Sequence, residues 1–256
     1  MQIVTWNVNS LRVRLPQLLE WLAANGPDIV ALQETKVLDA AFPVAEIEAA
    51  GYRVAFNGQK TYNGVAILAR EPLSESVLEI PSFDDQQRRV LAVCCGGVRV
   101  VNLYVPNGQS VGSEKYQYKL RWLQALHGWL AAELAQYPKL VVLGDFNIAP
   151  EDRDVHDPAA WDGSVLVSPP ERAALGELLR IGLADVFRQF DQPPQSFSWW
   201  DYRAGAFRRN HGLRIDLILA SASLAPLCSG CRIDRLARSG EGVSDHAPVI
   251  AGFDVL

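Results

Sequence analysis

The sequence predicts an α/β protein in which two packed β-sheets are covered by helices. Three observations carry that expectation. Short apolar or β-branched runs recur along the whole chain. Two or three of them follow one another without an intervening helix, which argues against a simple βαβ array. Long stripes of helical period are mixed with them, so the chain is not all-β.

Taken in order, Gln2–Val8 opens the chain as a strand. Leu15, Leu18, Leu19 and Leu22 share one face and predict a helix over Leu15–Asn25. Asp28–Gln33, Arg53–Asn57, Gly64–Ala69, Arg89–Cys95 and Arg99–Val105 then read as strands. The longest stripe, Leu120, Leu123, Leu126, Leu130 and Leu134, predicts a helix over Glu114–Gln136. A strand at Leu140–Phe146 precedes a helix at Glu171–Ile181, with Pro169-Pro170 just before it. Arg214–Ala220 and Pro248–Val255 close the series as strands. Each half begins with a strand ending in Asn or Asp, a loose internal repeat. Without a long linker or low-complexity tract, residues 1–256 read as one domain.

Composition limits the function. At 256 residues, 49% hydrophobic and 21% charged, the chain is neither disordered nor collagen-like. No apolar run approaches the ~18–20 residues that cross a bilayer, which excludes an integral helical membrane protein. Met1-Gln2-Ile3-Val4-Thr5-Trp6 lacks the basic and apolar stretches of a secretory signal, so the cytoplasm is expected. A net charge of −5 excludes a globally basic nucleic-acid coat but permits a local basic groove. Of the basic residues, 19 are Arg and 5 are Lys, and the planar guanidinium fork suits phosphate. Cys228 and Cys231 form a lone C-x-x-C, and Cys94 and Cys95 are adjacent. With no second pair at zinc spacing, all four are expected to be ordinary thiols.

The chemical signal is a set of polar residues at strand ends. Asn7 and Asn9 close the first strand, Glu34 the second, and Asp145 and Asn147 follow Leu140–Leu143. Asp216 opens a later strand, and Asp245-His246 precedes the last. A single Asp or Asn there is usually a turn former. Five such places, rich in carboxylate and amide oxygen, are expected to converge on one rim. Hard oxygen ligands suit Mg²⁺ or Mn²⁺ rather than zinc. No Gly-x-Ser-x-Gly occurs, which argues against a serine hydrolase.

These residues lie in motifs: Thr5-Trp6-Asn7-Val8-Asn9-Ser10-Leu11-Arg12, Leu32-Gln33-Glu34-Thr35-Lys36, Gly144-Asp145-Phe146-Asn147-Ile148, Phe197-Ser198-Trp199-Trp200-Asp201-Tyr202-Arg203, Gly212-Leu213-Arg214-Ile215-Asp216 and Ser244-Asp245-His246-Ala247-Pro248. In this order they span nearly the whole chain. The sequence resembles the exodeoxyribonuclease III family of DNA-repair nucleases, within the endonuclease/exonuclease/phosphatase superfamily. The resemblance implies a four-layer αββα sandwich with two packed mixed sheets. It implies Mg²⁺, with Mn²⁺ as a substitute, bound by Glu34 with Asn7 and Asp245. It implies catalytic roles for Tyr104, Asp145, Asn147, Asp216 and His246: Asp145 on the attacking water, Asn147 and His246 on the phosphate, Asp216 beside Tyr104, and Asp245 paired with His246.

The resemblance also implies double-stranded DNA with abasic sites or 3′ ends as substrate, no membrane partner, and a monomer. Asn107, Trp199, Arg203, Leu213 and Ile215 fall at DNA-binding positions, with Trp199, Leu213 and Ile215 lining a small pocket for a sugar without a base. The Tyr202–Ile215 stretch carries Arg203, Arg208, Arg209 and Arg214 and no acid, which suits backbone gripping. Arg88 and Arg89 either add phosphate contacts or are paired on a sheet edge. The loop Asp154–Ser168 departs from the family pattern with Val165-Leu166-Val167. Bulk there is expected to restrict the pocket and favour 3′-end processing. The expected function is therefore a Mg²⁺-dependent abasic-site endonuclease and 3′→5′ exonuclease. The alternatives are a specialised exonuclease with weak incision, a superfamily phosphatase or sphingomyelinase-like phosphodiesterase, and an inactive nucleic-acid-associated regulator.

Overall fold

A computed structural model describes every residue except Ser82 and Leu256. The strands are β1 (Gln2–Asn7), β2 (Ile29–Gln33), β3 (Arg53–Asn57), β4 (Val65–Ala69), β5 (Ser74–Val77), β6 (Val90–Cys95), β7 (Val98–Tyr104), β8 (Leu140–Asp145), β9 (Leu183–Asp185), β10 (Asp216–Ser221), β11 (Cys228–Ile233) and β12 (Val249–Phe253). The helices are α1 (Leu11–Asn25), α2 (Val44–Ala49), α3 (Glu114–Gln136), α4 (Pro158–Trp161), α5 (Pro169–Arg180) and α6 (Ala206–Arg209). Among the described residues the strands form two six-stranded sheets, ordered β11-β12-β1-β2-β4-β3 and β5-β6-β7-β8-β10-β9. Each sheet has one parallel pair at its centre, β1 with β2 and β7 with β8, and its other pairs are antiparallel. The loose repeat in the sequence is thus a repeat of strand pairing. Each parallel pair is joined by a long helix, as parallel neighbours require.

Alternation along the strands builds three apolar layers. Ile3, Ile29, Ala31, Ile67 and Ala69 face Leu91, Val93, Val100, Val141, Leu143 and Ile218 between the sheets. On the outer face of the first sheet, Val4, Trp6, Val30, Leu32 and Leu68 pack on Leu18, Trp21 and Leu22 of α1 and Ile47 of α2. On the outer face of the second, Ala92, Val101, Leu103, Val142 and Leu219 pack on Trp122, Leu126 and Leu130 of α3 and Leu175 and Leu178 of α5. The expected four-layer αββα sandwich is what results. One polar clamp crosses the apolar layer between the sheets. Gln33 Nε2 donates to Thr5 Oγ1 at 3.0 Å and to Asn102 Oδ1 at 2.7 Å. Asn102 Nδ2 donates to the carbonyls of Leu32 and Ala66 at 2.9 and 2.8 Å.

Helix ends follow their local chemistry. Ser113 caps α3 by accepting from Tyr116 N at 3.2 Å. Pro169 and Pro170 occupy the first helical positions of α5, behind a Ser168–Glu171 capping box. Helix α1 starts at Leu11, four residues before the expected Leu15, and contains Pro16. The proline sits near the start, where it forfeits one backbone bond rather than breaking the helix. Strands β5, β9 and β11 were not expected from the pattern. No helix among the described residues is long and apolar enough to cross a membrane. All four cysteines are free thiols, as expected, and burial pushes Cys95 up to about 11.

Gly144, one residue before the end of β8, has φ +148°, and a Cβ there would lie 1.9 Å from the Leu103 carbonyl oxygen. Gly144→Ala should therefore force β7 and β8 apart and destabilise the protein by about 1–3 kcal/mol. A urea unfolding midpoint equal to that of the parent would contradict this close approach.

Candidate active site

The two sheets bring one rim together. Tyr104, Asp145 and Asp216 are register neighbours on β7, β8 and β10. Asn7 ends β1, Glu34 follows β2, and His246 lies just ahead of β12, which runs antiparallel to β1. Residues far apart in sequence thus meet at the seam between the sheets.

Asn7 is the bridge. Its Nδ2 donates to Glu34 Oε1 and to Asp145 Oδ2, each at 2.9 Å. Its Oδ1 accepts from Asn9 N, so in this orientation its amide nitrogen, not its oxygen, faces the acids. Asp145 Oδ1 accepts from Asn147 N at 2.9 Å. Asn147 is held at φ +49°, a left-handed conformation Asn tolerates. Its side chain donates to Val105 O at 3.0 Å and accepts from Asn107 Nδ2 at 3.0 Å. Glu34, also at positive φ, pairs with Lys36 Nζ at 2.8 Å.

His246 is buried between two acids. Its Nδ1 donates to Asp216 Oδ2 at 2.8 Å, and its Nε2 stands 3.8 Å from Asp145 Oδ2. Ser198 Oγ donates to Asp216 Oδ2 at 2.6 Å and accepts from the backbone N–H groups of Ile215 and Asp216. The expected Asp245–His246 pair is therefore corrected: Asp216 orients the imidazole. Asp245 instead accepts from Asn9 Nδ2 at 2.9 Å and Trp199 Nε1 at 3.0 Å. Adjacent residues on an extended segment point to opposite sides, so Asp245 cannot face the ring of its neighbour.

Electrostatics follow from this enclosure. Burial disfavours the imidazolium, but the Asp216 and Asp145 carboxylates overcome it and raise the His246 pKa. Burial pushes Asp145 up, the His246 charge pulls it down, and Asp216 adds to the rise. Burial works against the Glu34 charge, yet Lys36 and the Asn7 amide hold its pKa below the usual range. Burial, then Glu34 and Asp145, push the Tyr104 hydroxyl well above its usual value, so it is a neutral donor. The ring of Tyr104 is fixed by the Arg89 guanidinium, 4.6 Å from its centroid.

Oxygens of Glu34 and Asp145 and a ring nitrogen of His246 lie within 4.8 Å of one another, close enough to surround a cation. Two carboxylates in one buried cluster form the hard donor set that Mg²⁺ or Mn²⁺ prefers. Asp245, expected as a third metal carboxylate, stands outside this cluster.

The expected DNA-contact residues divide. Arg203, Arg208 and Arg209 are exposed, as is Asn107, while Trp199 is half-buried. Arg214 is corrected: it is buried, with Nε on Asp154 Oδ1 at 2.6 Å and a terminal nitrogen on Asp185 Oδ2 at 2.8 Å. Arg89 is likewise buried, donating to Gln87 Oε1 and Tyr104 O, while Arg88 is exposed. Leu213 and Ile215 point inward. They are 0% and 2% exposed, covered by Leu166, Val167, Ala149 and Val155 in one apolar cluster that Trp199 borders. Leu166 holds φ +77° to do this. Sequence reasoning missed the roles of Ser198 and Lys119. The signal for Lys119 was its place on the apolar face of α3, four residues before Leu123.

Because Arg214 pairs with buried Asp154 and half-buried Asp185, Arg214→Leu should cost about 3–5 kcal/mol, since Asp185 loses its cation and Asp154 keeps only Arg188. Urea denaturation measures this, and a loss under 1 kcal/mol would contradict the buried pairing.

The endonuclease/exonuclease/phosphatase family matches residues 4–246. Exodeoxyribonuclease III of Haemophilus influenzae is 36% identical, with 99% of this chain and all of the relative covered. A Neisseria 3′-phosphatase, NExo, solved with a product DNA hairpin, is 45% identical with a TM-score of 0.98, each chain fully covered. An AP endonuclease from Archaeoglobus fulgidus is 39% identical with a TM-score of 0.96, again over both whole chains. The chain belongs to the endonuclease/exonuclease/phosphatase family and is an exodeoxyribonuclease III-like enzyme.

Proposed function

We propose that the protein is a Mg²⁺-dependent DNA-repair phosphodiesterase that works chiefly on 3′ ends of duplex DNA, with incision at abasic sites restricted by Leu166. The observation that carries this reading is the apolar cluster in which Leu166 and Val167 pack with Leu213 and Ile215; on this reading they fill the hollow that a sugar without its base would need. A leucine at φ +77° costs roughly 1–2 kcal/mol relative to an ordinary conformation, and packing in the hollow offsets it. Relatives of both kinds exist, and the 3′-phosphatase and the 3′→5′ exonuclease from Neisseria share 45% and 46% identity with this chain. Bacterial exodeoxyribonuclease relatives favour the cytoplasm as the working compartment, and a monomer is the form proposed.

Hydrolysis of a phosphodiester needs an in-line water and relief of charge on the phosphate. Glu34 and Asp145 are the side chains that would hold the divalent ion, with Asn7 tying them together. The ion supplies Lewis-acid stabilisation of phosphate charge. Asp145, buried and aimed by Asn7 and the Asn147 backbone, is placed to accept a proton from water. His246, kept protonated by Asp216, donates to a phosphate oxygen. Tyr104, a neutral hydroxyl beside Glu34, is a second donor. Asn107 and Asn147 form the phosphate-side wall, and exposed Arg203, with Arg208 and Arg209, grips the backbone.

Two tests separate the parts. Chelation with EDTA should abolish release from a recessed 3′ end, and Mg²⁺ should restore it. Glu34→Gln should raise the Mg²⁺ concentration needed for half-maximal rate by about 10–100-fold; an unchanged metal dependence would remove Glu34 from the metal site. Leu166→Gly removes both the bulk and the strain. It should raise the ratio of abasic-site incision to 3′-end release by about 10–200-fold on labelled duplexes, and an unchanged ratio would defeat the restricted-pocket reading.

A further inference from the structure

Lys119 lies on the buried face of α3, its side chain 0% exposed. Its ammonium has three donors, and each has a partner. One goes to the carbonyl of Asn147 at 2.6 Å, one to the carbonyl of Asn107 at 3.2 Å, and one to the Glu171 carboxylate. Glu171 is equally buried at the start of α5. Its Oε1 also accepts from Leu166 N at 3.1 Å, and its Oε2 accepts from Ser168 N at 3.2 Å. The aliphatic stem of Lys119 is part of the same junction. Gly108 holds φ +95°, and a Cβ there would lie 3.2 Å from both Lys119 Cδ and Val165 Cγ2, so any larger residue would crowd the junction of the three segments.

We infer that the Lys119–Glu171 pair is a positioning device that fixes the Asn107–Asn147 wall and the Leu166 turn together, and so sets the ratio between 3′-end hydrolysis and abasic-site incision. This rests on the proposed role of Leu166. The pair touches no substrate, because every donor of Lys119 is already engaged. It acts through other groups: the Asn147 backbone that aims Asp145, and the Leu166 backbone that fills the hollow. A buried ion pair is a poor source of stability, since apolar residues of similar volume often do as well. What an apolar pair cannot supply is hydrogen bonds to two carbonyls on one side and two N–H groups on the other. With the ammonium gone, Asn147 loses the partner that holds its left-handed carbonyl, and Glu171 is released from its place under Leu166.

The test uses the full chain with Mg²⁺ and two labelled duplexes, one with a recessed 3′ end and one with an internal abasic-site analogue. Lys119→Met keeps the stem and removes the charge; Glu171→Gln keeps the shape and removes the partner. Both are checked for folding by circular dichroism, and Glu171→Gln carries the test if Lys119→Met does not fold. For 3′ release, kcat should fall about 10–100-fold with KM within about threefold of the parent, the pattern of misplaced reacting groups. The ratio of incision to 3′ release should rise about 10-fold as the turn loosens. Lys119→Arg, which restores a cation, should recover the ratio to within about threefold. A folded variant that loses both activities in equal proportion would reduce the pair to a stabilising contact and overturn the inference. Leu166→Gly separates the two failures. A raised ratio there beside an unmoved one in the pair variants overturns the positioning role alone, whereas an unmoved ratio in Leu166→Gly overturns the pocket reading itself.

Discussion

Negative charge enclosed at a seam is the constraint on which this architecture depends. Glu34 sits on one sheet and Asp145 and Asp216 on the other, with little water to solvate them. Such groups are tolerable only when paired and hydrogen-bonded. The partners of Asp145 and Asp216 come from the opposite sheet: His246 crosses to both, and Asn7 crosses to Asp145, while Glu34 pairs with Asn7 and Lys36 on its own side. The sheets must therefore be held in register to within a fraction of an ångström. The Gln33–Thr5–Asn102 clamp does this one layer beneath the rim, with Asn102 of the second sheet bonded to the Gln33 side chain and to the Leu32 and Ala66 carbonyls of the first. Gly144 adds a second restraint by letting β7 and β8 approach where Asp145 leaves the sheet.

The same physics explains two populations of arginine. Those on the outside, Arg203, Arg208 and Arg209, remain solvated and free to meet phosphate. Those beneath, Arg89 and Arg214, are consumed by the fold, one stacked on Tyr104 and the other dividing its guanidinium between Asp154 and Asp185. Arg214 lies between Leu213 and Ile215, so its ion pairs also anchor the floor on which Leu166 rests. Charge that reads as a binding surface is in part an internal scaffold for an apolar one.

Much of this was legible in the sequence, for identifiable reasons. Eight inner strands are buried on both faces and read as apolar runs, and the edge strand β3 reads through Val54, Ala55 and Phe56, so nine strands are legible to within a residue or two. Strands β5, β9 and β11 were missed because they are sheet-edge strands, short or polar, bonded on one side only. The site residues announced themselves as oxygen donors at strand ends. Their pairing did not, because it is decided by which strands are neighbours: Asp216 and His246 are 30 residues apart, while Asp245 and His246, adjacent in sequence, face apart. The Arg214 misreading has a related cause. An Arg in a basic run looks solvated until the distant acids that surround it are known. Leu166 was flagged by its bulk, but its left-handed backbone has no signature in a sequence without glycine at that point.

The order in which the chain fills the first sheet carries a temporal consequence. Among the described strands β1 comes before all the others, yet its neighbour β12 comes after them, with Gln2 opposite Gly252 and the Met1 amine donating to the Phe253 carbonyl at 2.7 Å. A chain still emerging from the ribosome has an open edge at β1 and no imidazole at the seam. The two sheets are therefore locked together at the seam only once His246 and β12 have joined β1, because that imidazole is what Asp216 and Asp145 enclose.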